Sequence, residues 1–184
     1  MMKKLIGFAL VAIMLAGCAS MNDAMTPSLS VTKDRFDDTT IVKQPIVAAN
    51  SSFSDDMAGL GFEWKSSLPD KIILTVGISG IENIVGADFN VDGQDIPSPK
   101  TAGYLTQYPE KSLKWGDMTS VYSTRRMTMP IGDFMKLANG KQVKMRIRHI
   151  DTYSVSIFGR SEMAVVGSKF EPFLAKLKEM KVVN

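Results

Sequence analysis

Asp88, Asn90 and Asp92 alternate along the chain and end in Gly93, a spacing that matches the first half of a calcium-binding loop. Such a loop needs side-chain oxygens on every second residue and then a glycine that turns the backbone. The second half departs from the pattern, because Pro99 stands where a bidentate glutamate would close the coordination sphere and no helical period precedes Asp88. The same residues also read as the solvent face of a strand running into an Asp-Gly hairpin turn. The hairpin is the expected reading, and Asp88, Asn90 and Asp92 become ligands only if calcium binds. No other cofactor is expected.

A second set is cationic. Lys144, Arg146 and Arg148 take one face of a strand while Val143, Met145 and Ile147 take the other, and Arg125 and Arg126 fall on another predicted strand. That row could hold a phosphate, a lipid head group or an acidic protein surface, and a solvated sheet face explains it as well. His149 continues the apolar parity of Val143, Met145 and Ile147, which makes it a core or rim histidine. No nucleophile stands at a recognisable spacing from it. Gly77-Ile78-Ser79-Gly80 lacks the Gly-x-Ser-x-Gly of a nucleophile elbow, and Gly59-x-Gly61 lacks the rest of a phosphate loop. Asp37-Asp38 and Asp55-Asp56 are adjacent, so in a strand each pair points to opposite faces and forms no acid-base dyad.

The third set is aromatic. Between Asp92 and Asp117 the chain carries Pro97, Pro99 and Pro109 with three glycines and no sustained period. Long irregular excursions are uncommon in compact domains and often functional. Tyr104, Tyr108 and Trp115 are therefore candidate partner contacts, with packing of the loop onto the domain as the competing explanation.

The elements that must position these residues are mostly strands. Thr39 to Ala48 is strand-like, but Pro45 confines it to an edge or a bulge. Phe62 to Lys65 is a short strand. Lys71 to Ser79 and Ile84 to Val91 both alternate apolar with small or polar residues, and Gly80 to Asn83 is expected to join them as a hairpin. Strands follow at Met118 to Met129, Lys141 to Ile150, Tyr153 to Phe158 and Glu162 to Val166. Ile131, Phe134, Leu137 and Ala138 share a face of a short helix near 131–138, with Asn139-Gly140 as its left-handed stop. Ser168-Lys169-Phe170-Glu171 has the form of a capping box opening a C-terminal helix near 169–181, whose apolar stripe is Phe170, Phe173, Leu174 and Leu177. The expected fold is mainly β within the α+β class: an antiparallel sheet or two-layer β-sandwich carrying those two helices.

The start of the chain is of another kind. Met1-Met2-Lys3-Lys4 is basic, and Leu5 to Leu15 is an apolar run ending in the small residues Ala16 and Gly17. That is the layout of an export signal, and it falls short of the roughly 20 apolar residues a spanning helix needs. Leu15-Ala16-Gly17-Cys18 resembles the lipobox of bacterial lipoproteins, a likeness confined to residues 1–18. It implies a diacylglyceryl group on the Cys18 sulfur, cleavage before Cys18, and usually acylation of the new amino terminus. Cleavage after Ala19 or Ser20 by an ordinary signal peptidase is the alternative. In Gram-negative lipoproteins an aspartate after the cysteine retains the protein at the inner membrane; here Ala19 implies the inner leaflet of the outer membrane, facing the periplasm.

Residues 1–17 are then the signal, 18–35 a lipidated, polar tether, and 36–184 a single globular β-rich domain. The chain has 22 Lys and Arg against 19 Asp and Glu, and loss of Lys3 and Lys4 leaves 20 against 19. So balanced a charge argues against nucleic acid as a partner. With Cys18 taken by the lipid and His149 the single histidine, no disulfide, usual zinc set or cysteine-histidine pair is expected within the chain. The expected function is that of a non-catalytic envelope lipoprotein, held to the membrane through Cys18 and binding an envelope protein or glycolipid. A cell-wall or lipid hydrolase using dispersed carboxylates is the alternative.

Overall fold

The computed structural model describes residues 26–50, 57–102, 106–108, 113–115, 118–120 and 122–183. In chain order the elements are β1 (Ser30–Lys33), β2 (Thr40–Ala48), β3 (Ala58–Lys65), β4 (Lys71–Ser79), β5 (Gly86–Val91), β6 (Gln94–Ile96), β7 (Lys100–Thr101), β8 (Leu113–Trp115), β9 (Met118–Ser120), β10 (Tyr122–Pro130), α1 (Ile131–Asn139), β11 (Val143–Arg148), β12 (Tyr153–Phe158) and α2 (Gly167–Glu179). One sheet has the order β1-β2-β3-β4-β10-β7, a second β12-β11-β5-β6, and β8 pairs with β9; every pairing is antiparallel. The fold is a mainly β, α+β sandwich, with two helices among the described residues.

Both sheets and both helices feed one core. Ile72, Leu74, Val76 and Ile78 of β4 alternate inward, as do Val143, Met145 and Ile147 of β11, all at most 2% exposed. Phe62 of β3 is the meeting point: its ring lies 5.2 Å from Phe134 of α1, and 5.0 Å from Phe170 and 4.8 Å from Phe173 of α2. The apolar stripes of the two short helices thus gain their burial from the sheet, since helices of this length have little stability of their own.

Pro45 produces the expected bulge. The β2–β3 register shifts between Gln44 and Val47, and the displaced Ile46 side chain lies over the sheet. A Cβ on Gly59 would stand 2.8 Å from Ile46 and one on Gly77 2.5 Å from it, while one on Gly61 would stand 2.8 Å from the Ile46 backbone nitrogen. The glycines of Gly59-x-Gly61 therefore make room for the bulge.

Five local expectations are corrected. Gly80 to Asn83 does not close a β4–β5 hairpin: both edges of β4 are taken by β3 and β10, and β5 belongs to the other sheet. Asp92 to Asp117 is more regular than its composition implies, since β6 pairs with β5, β7 pairs with β10, and Gln107 bridges Thr124. Gly140 ends α1 in an extended conformation, φ −60° and ψ 140°; its lack of a side chain matters because a Cβ would meet Val91 at 2.7 Å and Val143 at 3.0 Å. Glu162 to Val166 is a turn into α2, with no strand. The amides of Gly167, Ser168 and Lys169 bond back to the carbonyls of Ala164, Val165 and Val166. This tight entry satisfies amides that a cap would otherwise serve, so Ser168 is no N-cap and its hydroxyl donates to the Val165 carbonyl at 2.8 Å.

Candidate functional site

One end of the sandwich gathers the crossover from β4 to β5, the turn from β11 to β12, and the bridge at Gln107. The crossover is held by side chains. Arg125 Nη1 donates to the Ile84 carbonyl at 2.6 Å, with Thr106 Oγ1 3.0 Å from the same oxygen and 2.9 Å from Asn83 Oδ1. Ser123 Oγ donates to the Gly80 carbonyl and accepts the Glu82 amide, both at 2.9 Å. The Val85 amide donates to the Arg148 carbonyl at 2.8 Å, tying the crossover to the end of β11. The three elements consequently present Ile81 (78% exposed), Ile150 (67%) and Tyr108 (50%) at one pole. Apolar side chains exposed at one end in this way are candidates for an interaction surface.

His149 sits beneath the same pole. It is 7% exposed, with Nε2 3.2 Å from Ser154 Oγ and Nδ1 3.6 Å from Glu82 Oε2. Nδ1 is buried without a hydrogen bond, as is Arg125 Nε. The burial agrees with the parity of β11; the contact with Ser154 was not legible, because it depends on the exact register of the β11–β12 hairpin, which spacing alone does not specify. A serine hydroxyl on one imidazole nitrogen and a carboxylate facing the other is the outline of a nucleophile, base and orienting acid. Here Glu82 is half exposed and lies beyond hydrogen-bond length from Nδ1.

The cationic row is present on the outer face of β11, whose residues alternate between buried and exposed. Two of its members are engaged. Arg146 grips Asp88 Oδ2 through Nη2 at 2.8 Å and Nε at 3.0 Å, and Arg148 Nε lies 3.4 Å from the same oxygen. Partial burial raises the Asp88 pKa, but the hydrogen bonds from Ser98 and Arg146 and the Arg148 and Arg146 charges outweigh it and hold the carboxyl below its ordinary range. Arg125 points into the crossover, and Arg126 bonds Glu63 at 2.8 Å, so neither joins the row.

The calcium-like residues serve the hairpin. Asp92 and Gly93 both have positive φ, 51° and 89°, as a two-residue Asp-Gly turn requires. Asp92 accepts the backbone amides of Gln142 at 2.8 Å and Lys141 at 3.1 Å, which lower its pKa. Asn90 donates to Asp95 at 2.7 Å and accepts the Gly93 amide at 3.1 Å. Among the described residues no group of three or more His, Cys, Asp or Glu is placed to hold a metal ion.

At the other end, α1, the 159–167 loop and α2 border a groove of about 890 Å³, which Thr26 also lines. Thr26 is 9% exposed, and the following Pro27 carbonyl accepts from Gln44 Nε2 at 3.0 Å. The groove meets the Val143 and Phe158 end of the β11–β12 hairpin, and the apolar pole meets its Arg148 and Tyr153 end. Five steps along β11 separate the two by roughly 17 Å. Cys18 and Tyr104 lie outside the described residues, as does the side chain of Trp115. No helix among the described residues is long and apolar enough to cross a membrane. No known protein family, curated protein or solved structure is matched by the chain.

Proposed function

We propose that this chain is a membrane-anchored lipoprotein of the bacterial envelope, non-catalytic, which binds a protein partner or envelope component through the pole formed by Ile81, Tyr108 and Ile150. The observation that carries the reading is the placement of these exposed apolar residues at the end of the hairpin away from Thr26. Residues 18 to 25 span at most about 29 Å when fully extended, so an anchor at Cys18 keeps the domain close to the bilayer. The chain reaches the domain at the groove through Thr26, residues 30–33 of the expected tether join the sheet as β1, and the pole is left for partners. Tyr104 and Trp115 belong to the same excursion as Tyr108 and are proposed to extend this surface.

Replacing Ile81, Tyr108 and Ile150 together with alanine should reduce partner capture in envelope cross-linking and pull-down more than replacing Lys144, Arg146 and Arg148. The reason is that Arg146 and Arg148 already spend their charge on Asp88. Surface changes of this kind usually alter stability by only about 0.5 kcal/mol, so the melting temperature should hold. Equal capture by both variants would overturn the reading.

A second reading, hydrolysis of a cell-wall or lipid ester, is favoured by the Ser154–His149–Glu82 line. In it Ser154 Oγ attacks the ester carbonyl, His149 Nε2 takes the hydroxyl proton and returns it to the leaving alcohol, and Glu82 steadies the imidazolium; water then releases the acyl group by the reverse path. A fluorophosphonate probe separates the two readings. The non-catalytic one expects no labelling, and labelling abolished by Ser154→Ala would replace it.

A further inference from the structure

An open sheet edge is a template for another chain, and proteins blunt such edges with charge, proline, bulges or shortness. Three of the four edges of the two main sheets are blunted in this way. β1 has four residues and ends in Lys33, β7 has two, and β6 has three and carries Asp95. β12 is different: Tyr153-Ser154-Val155-Ser156-Ile157-Phe158 has neither charge nor proline and pairs with β11 along its whole length. Its outward side chains are Tyr153 (61% exposed), Val155 (50%) and the half-buried Ile157. Among the described residues nothing pairs with its outer edge.

We infer that β12 docks against β12 of a second copy of this chain, the two strands antiparallel with Val155 opposite Val155. Residues directly opposite in a sheet share a face, so this register also sets Tyr153 against Ile157 and Ser154 against Ser156. The outward residues of both copies then form one unbroken apolar stripe. Charge also favours a second copy over an acidic segment. An added strand would lie two spacings, about 10 Å, from β11, near the Debye length; Arg146 and Arg148 already share Asp88, and the Arg146 guanidinium lies over the Tyr153 ring, 6.0 Å from its centroid. The edge offers an acidic strand little. In the dimer the two cationic rows stand three spacings, about 14 Å, apart, where screening removes most of their repulsion. The inference is independent of what the pole binds.

The test uses the full-length chain in membranes carrying Val155→Cys. Opposed residues in an antiparallel pair have Cα atoms about 4.5 to 5.5 Å apart, inside the range a disulfide spans. Oxidation should give a species of twice the monomer mass, and Lys144→Cys, one strand back, should give no more of it than the native chain. Separately, Val155→Lys places like charges opposite each other at an exposed position, and should lose the dimer seen by light scattering in detergent. No dimer from Val155→Cys, an equal yield from Lys144→Cys, an adduct of any other mass, or a dimer that survives Val155→Lys would each overturn the inference.

Discussion

Truncating the chain before Phe170 should abolish its cooperative thermal transition. The deletion removes Phe170, Phe173 and Leu177, which are 3%, 0% and 0% exposed, together with the half-buried Leu174. Fully burying such a side chain contributes about 1.5 to 3 kcal/mol, so the three buried ones supply roughly 5 to 9 kcal/mol. Whole domains are commonly stable by only about 5 to 15 kcal/mol. The loss is compounded, because Phe62 surrenders two of its three ring contacts and Phe158 its contact with Phe170. What remains is a sheet with an aromatic hole and no element to fill it. Circular dichroism against temperature measures the outcome. A sharp transition near the native temperature would show that the sheets hold together without α2.

Cys18→Ser should remove fatty-acid label from the protein and leave it either unprocessed or released from the membrane. This follows from the proposed anchor: burial of each methylene contributes about 0.8 kcal/mol, so one acyl chain binds marginally and reversibly while two or more bind stably. A serine hydroxyl is no substitute for the thiolate as the nucleophile that takes the diacylglyceryl group. Labelled palmitate fed to cells, followed by membrane fractionation, distinguishes the outcomes. Equal labelling of native and substituted chains would sink the assignment. So would native protein that is cleaved after Ala19 or Ser20 and recovered in the soluble fraction.

Lys144, Arg146 and Arg148 were legible as one exposed row because a half-buried strand has a period of two, and the apolar alternation of β11 fixes which face meets water. For the same reason the inward face of β4, the stripes of α1 and α2, the bulge at Pro45 and the Asp-Gly turn could be read locally: each depends on residues within a few positions of one another. The sequence therefore determined the fold class, the longer strands and the two helices. Beyond the β11–β12 hairpin it did not determine which strands meet. β4 and β5 look like hairpin partners in sequence, yet β3 and β10 occupy both edges of β4. That choice is made by long-range packing. Ile81 and Ile150 reach one pole, and Glu82 faces His149, only because the β4–β5 crossover and the β11–β12 turn lie at the same end of two different sheets. Likewise β12 has no strand on its outer edge among the described residues because of its rank in the sheet order, which no window of sequence contains. Side-chain period is a local property of the backbone, whereas partner, edge and pole are settled by how the whole core closes around Phe62.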